Sequence, residues 1–256
     1  MIYKLEAYMD GIPLTSLGRV TITDISHNAA TLAVSTAPLA NVHGDRVLDR
    51  RWSQAAVTIT VVLGGDSPAE RQELCQNVAA WAKGRILQTS DRYGQQLRCI
   101  CTVPPQIQNT INRVERINMT FTAYQNPFWE DEYPLMVTLS GTNDSGSIYV
   151  PGNVPAQTVL EIEAAPMSGT LNDLAITAGE HTLSFEGLGA TALSPLKIVY
   201  TDQMIQKITV GDTSALDKRT RSSADDLLAE IGGHTVIGIT ANVGANVRFL
   251  ARGKWL

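Results

Sequence analysis

The chain has few cysteines, few aromatic residues and little charge. Three cysteines, an odd number, argue against a disulfide framework and are typical of a protein made in a reducing compartment. Aromatic residues make up 6% of the chain and charged residues 18%, below the usual quarter. No apolar run approaches the roughly 20 residues that span a bilayer, so we expect no membrane insertion.

A basic excess is also missing. The formal net charge is −5, and neither half of the chain has more Lys and Arg than Asp and Glu. Proteins that bind nucleic acid need Lys and Arg for phosphate contacts, so we expect no specific nucleic-acid binding. The first residues contain acidic side chains and do not resemble a secretion signal, which predicts synthesis in a cytoplasm.

The composition favours a turn-rich β protein with two domains. Apolar residues make up 44% of 256 positions, and 20 Gly and 11 Pro supply turns. A polar segment, EDEYP, follows Trp129, and after it the sequence changes to short predicted strands separated by turn residues. We therefore predict one domain at residues 1–132 and a second at residues 133–256.

The first half alternates strands with one strong helix signal. Asp10-Gly11 predicts a hairpin turn, and Ala55–Leu63 is a run of β-branched residues that predicts a strand. Other strands are predicted at Val20–Ile25, Thr31–Thr36, Ile86–Gln88, Gln96–Val103 and Val114–Ala123. Residues 37–49 have no helical period, and they fit either a long loop or a protruding hairpin arm.

The helix is predicted at about residues 68–83. Ser67 is a good N-cap, Pro68 stands at the first helical position, and Glu70 is placed as the capping-box partner. Apolar residues then recur at helical spacing, and Trp81 belongs to the face that packs on a sheet. Gly84 is placed for a C-terminal cap.

The second half predicts a β-sandwich. Short strands separated by Gly, Asn, Asp and Pro are predicted at Leu135–Ser140, Ser147–Val150, Thr158–Ala164, His181–Phe185, Lys197–Tyr200, Lys207–Val210, Thr235–Thr240 and Val247–Leu250. Ser223–Ile231 fits a short helix or a strand. The predicted fold class is mainly β, with one amphipathic helix in the first domain.

Motifs for metal or cofactor chemistry are weak. Cys99 and Cys101 would share one face of a strand, but a zinc site needs four ligands, and only Cys75 and four scattered histidines could complete it. The segment 187–192, GLGATA, matches a loose dinucleotide pattern but is followed by a strand instead of the helix that would hold a pyrophosphate. We therefore predict no catalytic, metal-binding or cofactor-binding residues and no cofactor.

The enzymatic alternative with the most specific motif is an aspartic-type hydrolase. Asp144-Ser145-Gly146 and Asp212-Thr213-Ser214 resemble the paired loops in which two carboxylates share a proton. Neither loop has the full pattern, because the apolar supporting strand is missing before Asp144 and the glycine is missing after Asp212. Such dipeptides are common as turns in chains of this kind.

Five residues are candidates for contacts with a partner. Arg46, Arg50 and Arg51 lie among acidic residues, where they form either a solvated patch or the rim of an interface. Phe128 and Trp129 precede the domain boundary, and such aromatics fill either the junction or a pocket of a neighbour.

The order of these elements resembles the distal tail (Dit) proteins of long-tailed bacteriophages and prophages. The resemblance is carried by the Arg-Arg pair before AVTITVVLGG, the helix in DSPAERQELCQNVAAWAKG, and the close FTAYQNPFWED. Weaker matches are PGNVPAQTVLEIE and the tail GITANVGANVRFLARGKWL.

This resemblance implies a structural protein of the virion tail tip. The first domain would form a hexameric ring between the tail-tube protein and the tail-associated hub protein, and residues 37–49 would clasp the next subunit. The second domain would be a galectin-like sandwich that can dock receptor-binding proteins, and residues 250–256 could pack back on the first domain. Assembly would take place in the cytoplasm of a bacterial host.

The other functional alternative is a carbohydrate-binding sandwich that contacts glycans on the host surface. It requires an exposed aromatic side chain near polar groups in the second domain. Tyr149 and Tyr200 are the candidates before Trp255.

Overall fold

The structure is a computed structural model that describes residues 4–38, 45–106, 114–124, 126–201 and 205–256. Over these ranges the chain is mainly β with one α-helix, which confirms the predicted fold class. The chain divides into two compact units, Met1–Glu132 together with Leu256, and Tyr133–Trp255.

The strands of the first unit are β1 Ala7–Met9, β2 Ile12–Pro13, β3 Val20–Asn28, β4 Leu32–Pro38, β5 Asp45–Trp52, β6 Ala56–Gly64, β7 Ile86–Thr89, β8 Gln95–Val103, β9 Val114–Ala123 and β10 Trp129–Asp131. Helix α1, Pro68–Trp81, follows β6, and a 3-10 turn covers Leu14–Leu17. Most strands form one sheet with the order β2-β1-β7-β8-β9-β6-β3, and β10 pairs with β8. Strands β4 and β5 form a separate two-stranded sheet.

Helix α1 is fixed to this unit by its apolar face. Leu74, Val78 and Trp81 are buried, and the Trp81 ring meets the Phe121 ring edge-on at 6.0 Å between centroids. The Trp81 indole Nε1 donates a hydrogen bond to the Ile12 carbonyl at 2.8 Å, so the polar end of the side chain is satisfied as well.

The predicted start of the helix is confirmed. The Ser67 hydroxyl accepts a hydrogen bond from the Glu70 amide at 3.2 Å, with Pro68 at the first helical position. The Glu70 carboxylate reaches the amide of Asp66 at 2.8 Å, one residue before the position that a standard capping box uses. Both hydrogen bonds satisfy backbone amides at the start of the helix, and they stabilise its first turn.

The predicted end of the helix is wrong. The helix ends at Trp81 with Ala82 as its right-handed C-cap, and Gly84 does not adopt the left-handed conformation of a glycine cap. Gly84 is required for another reason: a Cβ there would lie 2.2 Å from Cγ of Met9, which is buried. The glycine therefore allows the hairpin of β1 and β2 to approach the end of the helix.

The Asp10-Gly11 turn joins β1 to β2 as predicted. Both residues have positive φ, 51° and 80°, which is the conformation of a two-residue hairpin turn that matches strand twist. The Asp10 carboxylate also accepts a hydrogen bond from the Ile86 amide at 2.9 Å, and this bond ties the turn to β7.

The strands of the second unit are β11 Leu135–Tyr149, β12 Gln157–Val159, β13 Glu161–Pro166, β14 Leu174–Ala178, β15 His181–Phe185, β16 Leu196–Tyr200, β17 Gln206–Val210, β18 Thr213–Ser214, β19 Leu228–Glu230, β20 His234–Ala251 and β21 Lys254–Trp255. The main sheet has the order β15-β14-β20-β13-β16-β17-β18, with β11 paired to β20, while β12 and β19 pair with each other. A 3-10 turn covers Leu216–Lys218.

Two long strands replace four short ones that the sequence predicts. Strand β11 runs through 141–146 and β20 runs through 241–246. The two strands pair from Leu135 opposite Ala251 to Gly141 opposite Ala245 and, after a register shift, from Asn143 opposite Thr240 to Tyr149 opposite His234. Strand β14 was not predicted. The ambiguous segment Ser223–Ile231 ends in strand β19, so the strand alternative is correct there.

The core of the second unit is built by its own residues. Its buried apolar cluster runs from Leu139 to Ala251 in sequence and contains the fully buried rings of Phe185 and Phe249. Strand β20 is central to the sheet, because it pairs with β11 along one edge and with β14 and then β13 along the other.

Candidate functional site

The most distinctive surface feature is a β-ribbon formed by β4 and β5. The strands pair from Leu32 opposite Trp52 to Pro38 opposite Asp45, with a register shift between Ser35 and Thr36. This is the hairpin arm that the sequence left open as an alternative to a loop, while residues 39–44 lie outside the described residues.

The ribbon exposes most of its described side chains. All residues from Thr31 to Thr36 are exposed, including Leu32 at 45% and Val34 at 47% of their surface. At the base of the ribbon, the Trp52 ring contacts the Phe128 ring edge-on at 5.2 Å between centroids. The ribbon is therefore anchored at one end and buries little apolar surface along β4.

The three candidate arginines lie on β5. By strand register, Arg46 lies opposite Ala37 and Arg50 opposite Val34. The Arg51 side chain is 80% exposed, and its Nε is 3.9 Å from an Asp49 carboxylate oxygen, a weak and solvated pair. Their role as interface residues stays a prediction, since nothing in the chain alone tests it.

The two candidate aromatics are buried in the first unit. Phe128 is 5% exposed and Trp129 is 2% exposed. The Arg92 guanidinium lies over the Trp129 ring at 5.1 Å, and the His27 ring meets its edge at 5.4 Å. Both aromatics can support an interface by fixing the residues around them, and a direct role in binding a partner stays a prediction.

Sequence reasoning missed the polar residues around Trp129. His27 Nε2 and an Asp91 carboxylate oxygen are 2.6 Å apart, and Arg92 Nη1 donates to the Leu256 carbonyl at 3.0 Å. Burial would raise the pKa of Asp91, but the neighbouring Thr89 hydroxyl and His27 outweigh it, so the pKa of Asp91 is lowered. Burial lowers the pKa of Arg92. His27 and Asp91 are far apart in sequence and are brought together by the packing of strands, so no sequence motif predicts their contact.

The surroundings of Cys99 and Cys101 favour a structural role for these cysteines over a reactive one. Cys99 is buried, and burial raises the pKa of its thiol to about 12, which disfavours the reactive thiolate. Cys101 is half-buried, and burial raises its pKa as well. Within the described ranges, no group of three or more His, Cys, Asp and Glu residues could hold a metal ion.

The two aspartates of the hydrolase alternative do not lie in paired loops. Asp144 is part of β11, and its carboxylate accepts hydrogen bonds from the amides of Ser140 and Ser145, both at 2.9 Å. Asp212 follows Gly211 in the turn between β17 and β18. The interpretation of 144–146 as a loop is therefore wrong, because the polar run continues a paired strand.

The remaining motifs are surface features of the second unit. Segment 187–192 is a loop between β15 and β16 with positive φ at Gly187 and Gly189, as its interpretation as a false dinucleotide motif predicts. The Tyr149 side chain is 45% exposed and contacts the His234 ring at 5.1 Å between centroids. The Tyr200 hydroxyl donates to Asp226 at 2.6 Å and is committed to that contact.

An open groove of about 640 Å³ crosses β14, β15 and β20. Its lining is mixed, with Asp173, Glu186 and Asn242 beside small and apolar residues.

No helix among the described residues is long and apolar enough to cross a membrane.

Comparisons with known proteins identify the fold. No protein-family model and no curated protein matches the chain. The Dit protein of phage SPP1, described as a paradigm of the hub adsorption apparatus in phages that infect Gram-positive bacteria, has a TM-score of 0.69 at 12% identity over 97% of this chain and 98% of that one.

Two structures of the baseplate of phage P2 in its activated conformation are also similar. The structure with calcium has a TM-score of 0.54 at 8% identity, and the structure with strontium has a TM-score of 0.52 at 9% identity. Each match covers 100% of both chains. The Dit-like fold that the sequence resemblance predicts is therefore confirmed over both units.

Proposed function

We propose that this chain is a structural protein of a phage tail tip, a distal tail protein that forms a hexameric ring. The observation that carries the proposal is the match to the SPP1 Dit fold over 97% of the chain, which includes both units in one order. A match to one unit alone would support only a shared domain.

The surface of the first unit supports an assembling role. Strand β4 of the ribbon exposes the apolar side chains of Leu32 and Val34, and exposed apolar surface often marks a site of protein contact. In a ring, each subunit uses two different patches, and a stable contact buries more than about 1,000 Å². We assign the ribbon to clasping the next subunit, with Arg46, Arg50 and Arg51 at the rim of that contact.

The partners follow from the proposed position at the tail tip. The ring would join the tail-tube protein on one side to the tail-associated hub protein on the other. The second unit, for which a galectin-like sandwich is the proposed architecture, would anchor receptor-binding proteins. The protein would be made and assembled in the host cytoplasm, then carried in the virion tail, with a structural role and no catalytic one.

The test is the solution mass of the purified chain over a concentration series, together with negative-stain images. We expect a species of roughly six times the 27.7 kDa chain mass and rings with a central hole. A chain that stays monomeric at every concentration, alone and with the tail-tube protein of the same phage, would contradict the ring.

A second candidate function is glycan binding by the second unit. The exposed Tyr149 ring packed on His234 offers a flat face to a sugar ring, and this observation favours the idea. Binding to immobilised glycans that is lost in Tyr149→Ala and kept in Tyr93→Ala would support it. Tyr93 is the control because it is 97% exposed and lies in the first unit.

A further inference from the structure

The outer face of strand β20 forms a continuous surface track in the second unit. Side chains of β20 alternate, so Ile237 is buried in the core while His234, Val236 and Thr240 are exposed on the opposite face. From His234 to Asn242 this β20 track covers eight residue steps, which is about 26 Å at about 3.3 Å per residue. A track of this length can contact several units of an extended polymer.

One end of the β20 track is an aromatic and apolar platform. By strand register, Tyr149 lies opposite His234, and Ser147 lies opposite Val236. Val236 is 67% exposed, and the Tyr149 ring contacts the His234 ring. A sugar ring has apolar C–H faces and hydroxyl groups around its edge, so an aromatic face with polar groups beside it suits such a ring.

The other end of the track is the groove of about 640 Å³ across β14, β15 and β20, a volume typical of ligand sites. The Asn242 carboxamide is held in place there, because its Oδ1 accepts hydrogen bonds from the amides of Asn172 and Asp173 at 3.0 and 3.1 Å. Its Nδ2 group has no partner among the described residues and can donate to a ligand. The carboxylates of Asp173 and Glu186 can accept hydrogen bonds from hydroxyl groups.

Small residues join the two ends of the track. Strand register places Gly238 opposite Ser145 of β11 on one side and Thr177 of β14 on the other. A Cβ at Gly238 would lie 2.8 Å from the Thr177 hydroxyl oxygen, so a larger residue does not fit there. Ala175 continues the surface into the groove. The platform and the groove are therefore connected by a low surface of hydroxyl groups and small side chains.

The charges along the track disfavour an acidic ligand. The groove is lined by Asp173 and Glu186, and residues 143–149, 174–184 and 234–242 contain neither lysine nor arginine. Like charges across a contact are repulsive, and polyanions such as nucleic acids bind through lysine and arginine. Charge complementarity therefore favours an uncharged polymer rich in hydroxyl groups.

We propose that the β20 track, from Tyr149 to Glu186, binds an extended uncharged polysaccharide, with consecutive sugar units lying along the strand. This inference rests on the second candidate function, glycan binding, and goes beyond it by assigning the extent of the site and the charge class of the ligand. It is independent of the ring, because a single chain contains every residue of the track.

The test is binding of the full chain to a glycan array of neutral polysaccharides, acidic polysaccharides and teichoic acid. The neutral sugar that binds best is then used as a disaccharide and as a hexasaccharide in titration calorimetry. We expect the hexasaccharide to bind at least roughly tenfold more tightly, because it contacts both ends of the track. The acidic polymers should not bind.

Thr240→Arg tests the groove end of the track. Thr240 is exposed and lines the groove, so a long side chain there fills the space of the ligand. We expect the hexasaccharide to lose its advantage while the affinity for the disaccharide is unchanged. Thr213→Arg is the matched control, because Thr213 is an exposed threonine on β18, at the opposite end of the same sheet from the groove.

Circular dichroism checks that each variant is folded. Glu186→Gln is a second variant at an exposed position of the groove, and it keeps the size of the side chain. It should weaken binding of the hexasaccharide severalfold, because a neutral amide is a weaker acceptor than a carboxylate.

The outcomes separate the track from glycan binding in general. A hexasaccharide advantage that is lost in Thr240→Arg and kept in Thr213→Arg would support the track. Equal affinity for the two lengths, an advantage unchanged in Thr240→Arg and Glu186→Gln, or binding of acidic polymers alone would overturn it and leave glycan binding at Tyr149 intact. If no glycan on the array binds, both the track and the second candidate function are wrong, and the tail-tip proposal is unaffected.

Discussion

At the scale of single residues, Gly84 is required by lack of space for a side chain and not by its backbone conformation. A Cβ at this position would lie 2.2 Å from Met9 Cγ and 2.6 Å from an Asp10 carboxylate oxygen. Met9 is 2% exposed, so it has little room to move away. The sequence signal, a glycine after a helix, was correct about the residue and wrong about its reason.

Gly84→Ala should therefore destabilise the first unit. We expect a loss of about 2–3 kcal/mol in the free energy of unfolding, because overpacking next to a buried side chain forces the hairpin away from the helix. Gly94→Ala is the control: Gly94 has φ of +75° and nothing within 4 Å of a Cβ, so only backbone strain of about 1 kcal/mol is expected. Urea unfolding compares the two, and equal losses would contradict the packing argument.

Asp91 gives a prediction about pH. The pKa of its carboxyl is lowered in the folded chain from an ordinary value of 3.8, so its stabilising effect is present above that value and is lost as the pH falls through the lowered pKa. Asp91→Asn should lower the free energy of unfolding by about 0.5–1 kcal/mol at neutral pH, a modest figure because the carboxylate is partly exposed to water.

The difference between Asp91→Asn and the unsubstituted chain should shrink in acid, below the lowered pKa. Unfolding by urea at neutral pH and in acid measures it. Asp66→Asn is the control, because Asp66 pairs with Arg19 at 3.0 Å while both side chains are mostly exposed, and we expect no measurable effect at either pH. A loss for Asp91→Asn that persists unchanged in acid would rule out this account.

At the scale of elements, the sequence predicts those whose signal is local. Helix α1 has its cap, its proline and its apolar spacing within one segment, and strand β6 has a dense run of β-branched residues. Strand β11 lacks such a signal, since its buried side chains are few and its middle, SGTNDSG, looks like a turn. It is a strand because β20 pairs with it, and that partner is about 100 residues away in sequence.

The candidate interface was predictable from the sequence only as far as its signal is local. The sequence located residues 37–49 as an irregular segment, but it could not decide between a loop and a hairpin, because the pairing of β4 with β5 depends on register. The Dit-like fold was recognisable because it depends on the order of elements.

The start of helix α1 offers a test at this scale. Ser67→Ala removes the hydroxyl that accepts the Glu70 amide, and we expect a loss of about 1 kcal/mol in the free energy of unfolding. Ser26→Ala, at an exposed strand position, should change it by only a few tenths. Thermal unfolding followed by circular dichroism compares them, and an unchanged midpoint for Ser67→Ala would show that the cap contributes nothing.

At the scale of the whole molecule, the second unit should fold independently. Among the residues that the structure describes, its buried apolar cluster is made of its own residues, from Leu139 to Ala251. We expect a fragment of residues 133–255 to be folded and to unfold in one cooperative transition, which circular dichroism and calorimetry can measure. A fragment of residues 151–255 lacks β11, and because β20 then loses a partner along most of its length, it should be unfolded.

The pairing of Leu135 with Ala251 has a consequence for how such proteins diversify. The first and last residues of the β11–β20 pair lie side by side, so the chain enters and leaves the sheet of this unit at neighbouring points. Domains whose termini lie close together tolerate insertion into, and removal from, another chain. Genetic recombination could therefore exchange this module for a different one through two nearby splice points, leaving the part of the gene that encodes the first unit unaltered.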